Sequence, residues 1–242
     1  MKFLTDTHCH TISSGHAYST VSECAHEAAK KQLEMIAITD HGVKMPGAPH
    51  IYHFWNLKVI PEYIEGVRIL RGVEANIIDS NGTIDIEEEV LKRLDIVIVS
   101  FHDNCILPRS REENTKTLIK AMENKYIDII GHSGNPQFPI NAEEVAEAAK
   151  AYNKIVEINN TSLKGEIRAG SRENCANILK ECSKKGVQMC TSTDAHICYD
   201  IGDFTAIYQF LEENDIDENL ILSTSKEKFI NALQNHKRNL EV

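Results

Sequence analysis

Short runs of β-branched and apolar residues recur along this chain about every 30 residues, with an amphipathic helical pattern between most of them. No other feature narrows the fold as much. Parallel strands need a crossover of a dozen or more residues between them, usually a helix, and a sheet built that way is covered on both faces. The runs fall at residues 3–8, 34–39, 68–74, 95–102, 127–132, 154–159 and 187–194. Two of them, Ile96-Val97-Ile98-Val99 and Ile127-Asp128-Ile129-Ile130, are apolar nearly throughout, as such strands are. Helical patterns occupy residues 22–32, 86–94, 111–125, 141–151 and 171–185. Asn141 followed by Glu144 fits a capping box, and Gly186 fits the glycine that ends a helix. Seven βα units predict an α/β barrel rather than an open sheet, and 242 residues suit one such domain, spanning 1–242.

Two connections depart from the repeat. Residues 45–56 form a long link rich in Pro, Gly and aromatics that could act as a lid, and residues 76–86 read as a hairpin around Asn81-Gly82. After the seventh run come a helical pattern at 204–214, a short apolar run at 220–223 and a closing helix at 226–237. Nothing reads as a linker or a low-complexity tract.

Charge and cysteine content exclude some classes of partner. A net charge of −10 argues against binding long nucleic acids, which takes a basic face. Small anions stay possible, since bound cations reverse the field inside a site. The seven cysteines are odd in number and lack C-x-x-C spacing, so the expectation is buried, unreactive thiols in a reducing cytoplasm. No apolar stretch approaches the roughly 20 residues of a membrane span, and the amino terminus lacks a signal pattern. The oligomeric state stays open, a homo-oligomer included.

Each predicted strand of the repeat but the sixth ends at or next to a residue that can bind metal. His8 and His10 are two apart and therefore share a face of a strand, with Cys9 turned away. Asp194 and His196 repeat that spacing at the last strand, which neighbours the first in a closed barrel. His41, Glu74, His102 and His132 fall at the ends of intervening strands, and His16 lies in the loop after the first. Active sites of such barrels are built at these strand ends. Nine candidates exceed what one tetrahedral ion needs and suit a cluster of two or three, and mixed imidazole and carboxylate donors suit Zn, Mn or Fe. Asp6 and Asp40 flank ligand histidines and are expected to hydrogen-bond to imidazoles rather than bind metal. His26, His50, His53 and His236 lack strand-end placement and are left out of the site.

At these residues the chain resembles a known family. Asp-Thr-His-Cys-His-Thr, Thr-Asp-His-Gly, Gly-Val-Glu, Ser-Phe-His, Gly-His-Ser, Glu-Ile-Asn-Asn and Ser-Thr-Asp-Ala-His resemble the PHP superfamily, named for polymerase and histidinol phosphatase. The strings from Glu157 to Ser162 and from Arg168 to Cys175 are most similar to its YcdX-type phosphatases. The resemblance implies a distorted (β/α)7 barrel holding three divalent ions, with zinc first among the candidates and Mn or Fe as alternatives. It implies one ion on His8, His10, Glu74 and Asp194, a second on Glu74, His102 and His132 with Glu74 bridging, and a third on His16, His41 and His196.

The activity so implied is hydrolysis of small phosphomonoesters by a metal-bound hydroxide held at Glu74 and Asp194, the substrate being a small phosphorylated metabolite. Arg168 and Arg172 are candidates for clamping the phosphate; the alternative for each is an exposed arginine at a helix start. Asn160 and Ser162 could donate to substrate hydroxyls or stabilise the turn after a strand. Histidinol phosphate hydrolysis and amidohydrolase-like cleavage of a C–N bond are the competing activities. A strand-degrading nuclease would need a basic groove that this acidic chain lacks.

Overall fold

The computed structural model describes residues 1–165 and 167–234. Seven parallel strands run in the order β1 (Thr5–Cys9), β2 (Met35–Ile38), β4 (Val67–Asn76), β5 (Ile96–Ser100), β6 (Ile129–Ile130), β7 (Ile155–Asn159) and β8 (Met189–Ser192). A short β3 (Tyr63–Ile64) forms an antiparallel hairpin with β4. The helices around them are α1 (Val21–Lys30), α2 (Ile51–Asn56), α3 (Glu88–Leu91), α4 (Arg111–Met122), α5 (Ala142–Ala151), α6 (Asn160–Lys164), α7 (Ser171–Lys185), α8 (Thr205–Glu213) and α9 (Lys226–Gln234). The order is that of a nearly closed barrel. Beyond the strand ends, the amide of Asp194 donates to the carbonyl of His8 and the amide of His10 to that of Ala195, both at 2.9 Å, so β1 and β8 meet at the top. Lower down, Ile221 bridges to Met189, and Leu4 donates to the carbonyl of Ser223. The run at 220–223 thus fills the seam between the two strands.

Alternation along the strands divides the core in two. Ile36, Ile69, Val97, Ile130 and Val156 face outward under the helices, while Met35, Leu70, Ile96, Ile129 and Ile155 face into the barrel. The inner set packs with Phe229, Ile230 and Leu233 of α9, which closes the barrel from below. Two to four residues further up the strands the inner face turns polar. Leu70 gives way to Glu74 past Gly72, Ile155 to Glu157, Cys190 to Ser192 and Ile98 to Ser100, all buried. The polar layer lies at the carboxyl ends of the strands, on an apolar floor.

Local signals explain most boundaries. Thr20 and Glu23 form a capping box at α1, Ser110 and Glu113 another at α4, and Asn141 accepts from the amides of Glu143 and Glu144 at the start of α5. Gly186 ends α7 at φ 64°. The helix expected at 86–94 shrinks to the four residues of α3. The hairpin at 76–86 is present: Ile77 bridges Ile84, and Gly82 turns at φ 74°. The link at 45–56 contains α2, whose Phe54 is buried in the outer core, so packing anchors it to the barrel. The closing helix is seen as α9, and the remainder of the stretch expected to 237, with His236, lies outside the described residues.

Candidate active site

All nine ligand candidates lie at the upper rim of the barrel. The first pair is placed by a β-bulge: Asp6 pairs with Ile36 and Cys9 with Ile38, three residues of β1 against two of β2. With the shift falling between Asp6 and Cys9, His8 and His10 both face inward, and Cys9 is buried in the outer core. His8 Nε2 lies 3.0 Å from His10 Nε2, 3.3 Å from Glu74 Oε2 and 3.7 Å from Asp194 Oδ1. His10 Nε2 lies 3.5 Å from the same glutamate oxygen and 3.3 Å from the same aspartate oxygen. Donors bound at 2.0–2.1 Å around a tetrahedral ion sit about 3.3 Å apart, so these spacings are those of a ligand set.

Glu74 is central. Its Oε1 lies 2.8 Å from His132 Nε2 and 3.3 Å from His102 Nε2, while its Oε2 lies 2.7 Å from His41 Nδ1. His16 Nε2 and His196 Nε2 are 3.1 Å apart at the exposed mouth. His41 stands between the groups, able to share an ion with Glu74 and His102 or with His10 and His196.

The chain fixes which nitrogen each imidazole presents. His8 Nδ1 is 2.7 Å from Glu157 Oε1, and a carboxylate only accepts, so the proton is on Nδ1. Ser14 Oγ donates its one proton to Asp40 at 2.7 Å, so it must accept from His10 Nδ1 at 3.1 Å. Asn76 uses its amide protons on Gly42 and Asp85 and therefore accepts from His102 Nδ1 through Oδ1, at 2.7 Å. His196 Nδ1 donates to the carbonyl of Asp194 at 2.9 Å. In all four rings Nε2 is left with a lone pair aimed at the carboxylates or at another lone pair. Lone pairs facing each other at 3.0 Å repel unless a cation lies between them, and a second bond from a ligating imidazole is how metal sites fix tautomers. The buried His41 Nδ1, Glu74 Oε2 and His102 Nε2 make no hydrogen bond. The donor set therefore fits divalent metal.

Electrostatics point the same way. Burial opposes charge on Glu74 and Asp194. His102, His8 and His41 around the first, and His8 and Arg168 beside the second, outweigh it and hold both carboxyls well below the usual range. Burial also opposes protonation of His8, but Glu74, Glu157 and Asp194 push its pKa well above the ordinary imidazole value, so without an ion a proton on Nε2 supplies the positive charge these carboxylates favour there. At His10 burial prevails, aided by His41, and its pKa falls. Two of the ligand candidates hold left-handed backbone, His132 at φ 22° and Asp194 at φ 57°; such strain is concentrated at functional sites. Gly42, next to His41, leaves room for Asp85, since a Cβ there would meet Asp85 Oδ1 at 2.3 Å and displace that carboxylate.

Several expectations are revised by packing. Arg168 is at the site: its Nη1 lies 3.0 Å from Asp194 Oδ2 and 3.1 Å from Ser162 Oγ. Arg172 is engaged elsewhere, donating to Glu213 Oε2 at 2.6 and 3.2 Å and lying over the ring of Phe210. Asn160 accepts from the amides of Ala206 and Ile207 and so fastens α6 to the start of α8. Neither Asp6 nor Asp40 bonds directly to a ligand nitrogen. Asp6 holds Thr193 and Gly202, and Asp40 reaches His10 only through Ser14. His53, left out of the site, approaches Asp40 at 3.3 Å. Ser14, Asn76 and Glu157 went unmarked by any spacing signal, and only the alternation that puts 74, 76, 155, 157 and 159 on one face hints at two of them.

A polar, histidine-rich basin at the carboxyl end of a parallel barrel, with its imidazoles tied by their Nδ1 protons, defines a metallohydrolase class of site. The match to the PHP domain over residues 6–170 carries seven of the nine ligand candidates, and the chain belongs to that family. It is 52% identical over 240 residues to a protein of Acetivibrio thermocellus named probable phosphatase, covering 99% of each. A probable phosphatase of Caldanaerobacter subterraneus is also 52% identical, over 241 residues, covering 99% of this chain and 94% of the relative. The crystal structure of a histidinol phosphate phosphatase from Lactococcus lactis, complexed with Zn, L-histidinol and phosphate, has a TM-score of 0.66 at 16% identity and covers 90% of this chain and 95% of that one. A chain in archaeal ribonuclease P with mature tRNA has a TM-score of 0.63, also at 16% identity, covering 98% and 94%. Two such different settings share the fold, so at that distance the fold alone is common ground.

Proposed function

We propose that this chain is a metal-dependent phosphatase that removes phosphate from small phosphomonoesters at a site of three divalent ions, zinc foremost. One observation carries the reading: four imidazoles locked as Nδ1–H donors aim Nε2 lone pairs into a basin shared by Glu74 and Asp194. The relatives named probable phosphatase support the substrate class. Ions bound there supply a water acidified toward neutral pH and neutralise the charge of the phosphate.

The residues divide the remaining work. His8, His10, Glu74 and Asp194 would hold one ion, Glu74 with His102 and His132 a second, and His16 with His196 the third. His41 either completes the third set or shares Glu74 with the second. Arg168 presents a guanidinium beside Asp194, and its remaining protons suit phosphate oxygens. Ser162 and Asp194 hold that guanidinium in place, and Ser162 contacts substrate only through it. The free thiols suit a reducing cytoplasm, and no helix among the described residues is long and apolar enough to cross a membrane.

Turnover of p-nitrophenyl phosphate set against a cyclic amide, each with added Zn or Mn, tests the reading. Absence of phosphate release would sink it, and turnover of the amide would favour C–N hydrolysis. Histidinol phosphate belongs in the same panel, where a kcat/KM far above that of other monoesters would assign it as the substrate. Arg168→Ala is expected to raise KM for phosphate esters about tenfold or more with metal content unchanged, whereas Arg172→Ala leaves KM within about twofold. Equal effects in the two variants would remove Arg168 from substrate binding. His16→Ala is expected to lose about one ion per chain by elemental analysis, and a full complement would break the three-ion reading.

A further inference from the structure

We propose that Glu157 is a positioning residue, not a ligand, that sets the tautomer of His8 and the backbone of His132 at once and so links two ion subsites. The proposal rests on the metal reading above. Glu157 is buried at the centre of the barrel, and each of its oxygens accepts two hydrogen bonds. Oε1 takes His8 Nδ1 and Ser192 Oγ, both at 2.7 Å, and Oε2 takes the amide of His132 and Asn159 Nδ2, the latter at 3.2 Å. Four donors from β1, β8, β7 and the end of β6 saturate one carboxylate. The His132 amide it holds belongs to a residue at φ 22°, and the side chain of that residue reaches Glu74. Among the described residues, no group of possible metal ligands includes Glu157.

A carboxylate is required for a reason that can be tested. Glutamine has one acceptor and one donor end. The backbone amide of His132 can only donate, and Asn159 is fixed with its Nδ2 toward position 157 because its Oδ1 accepts from the amide of Ser162. The glutamine oxygen must therefore take the Oε2 side, and its NH₂ must face His8 and Ser192. Ser192 can rotate its hydroxyl to accept. His8 can accept only by moving its proton from Nδ1 to Nε2, which places N–H against His10, Glu74 and Asp194, where an ion needs a lone pair.

Zinc titration against a chromophoric chelator, with circular dichroism and thermal unfolding of the metal-free protein, tests this. Glu157→Gln is expected to bind the ion of the His8, His10, Glu74 and Asp194 group about 10–100-fold more weakly while retaining the ion at the mouth. Ser192→Ala removes one of the four bonds but leaves the tautomer, so its zinc affinity stays within about twofold of wild type. Equal losses in both variants, or a uniform loss of every ion, would reduce Glu157 to a packing role and overturn the proposal. Undiminished affinity in Glu157→Gln would do the same while leaving the metal reading intact. A wild-type chain that binds no zinc would instead overturn that reading, and this proposal with it. Long-range ¹⁵N–¹H NMR of zinc-loaded wild type gives an answer free of any folding defect: His8 must be protonated at Nδ1 and metal-bound at Nε2, and the reverse assignment would refute the role given to Glu157.

Discussion

Replacing Glu74 by glutamine is expected to strip the chain of two of its ions and to reduce phosphatase turnover by at least about a hundredfold, more than loss of an outer hydrogen bond would. The reason is that no other residue reaches so many ligands. One carboxylate lies between 2.7 and 3.5 Å from His8, His10, His41, His102 and His132. Glutamine keeps the shape but offers one oxygen, so it serves fewer ions than a carboxylate, and its NH₂ either donates to an imidazole lone pair that an ion would need or faces a cation. The ion between His16 and His196 does not depend on Glu74 through any direct contact with those two rings, so about one ion per chain should remain. Elemental analysis after dialysis, paired with p-nitrophenyl phosphate turnover, checks both halves. Wild-type metal content in the variant would show that Glu74 is not the bridge, and wild-type turnover with metal lost would show that the bridged ions are not the catalytic ones.

The contrast between Glu74 and Glu157 shows what a sequence can and cannot carry. Glu74 was legible because it ends a strand in a repeat whose other strand ends carry histidines, and a period of two then puts it in the mouth. The barrel was legible for the same reason: spacing sets connection length, and connections long enough to hold a crossover helix are what parallel pairing needs. The bulge at Asp6 to Cys9 was not, since it is defined by pairing with β2 rather than by composition, yet it leaves the His8/His10 alternation intact and so did not mislead. Glu157 lies on the same face as Asn159 and looks like any inward residue of a strand. Its role depends on His8, Ser192 and the amide of His132, 149, 35 and 25 residues away in the chain. Arg172 is the converse case. Its place at a helix start suggested a phosphate clamp, and only the approach of α8, 41 residues on, supplies Glu213 to neutralise it. A residue that repeats a strand-end pattern can be read from a string, whereas a residue whose role is set by one particular partner brought close by folding cannot.

The floor of the barrel yields the second large effect, and it separates stability from chemistry. Phe229 on α9 is fully buried and packs with Met35, Leu70, Ile96, Ile129 and Ile155 at the end of the barrel away from the ligands. Phe229→Ala should destabilise the chain by about 3–5 kcal/mol, from lost transfer energy and from the cavity left under a ring of residues held by strand pairing and unable to collapse. Domains of ordinary stability have about 5–15 kcal/mol in total, so the variant sits near the edge of folding at elevated temperature. Glu74 lies two positions of the inner face above Leu70, past Gly72, and the polar contacts of His10 run to Glu74 and Asp194 at the rim. The variant at low temperature is therefore expected to bind zinc and to turn over p-nitrophenyl phosphate within a few-fold of wild type, while its urea midpoint falls sharply at an unchanged m-value. A destabilisation below about 1 kcal/mol would mean that α9 does not plug the barrel, and a loss of zinc at low temperature would mean that the floor transmits its packing to the ligands above.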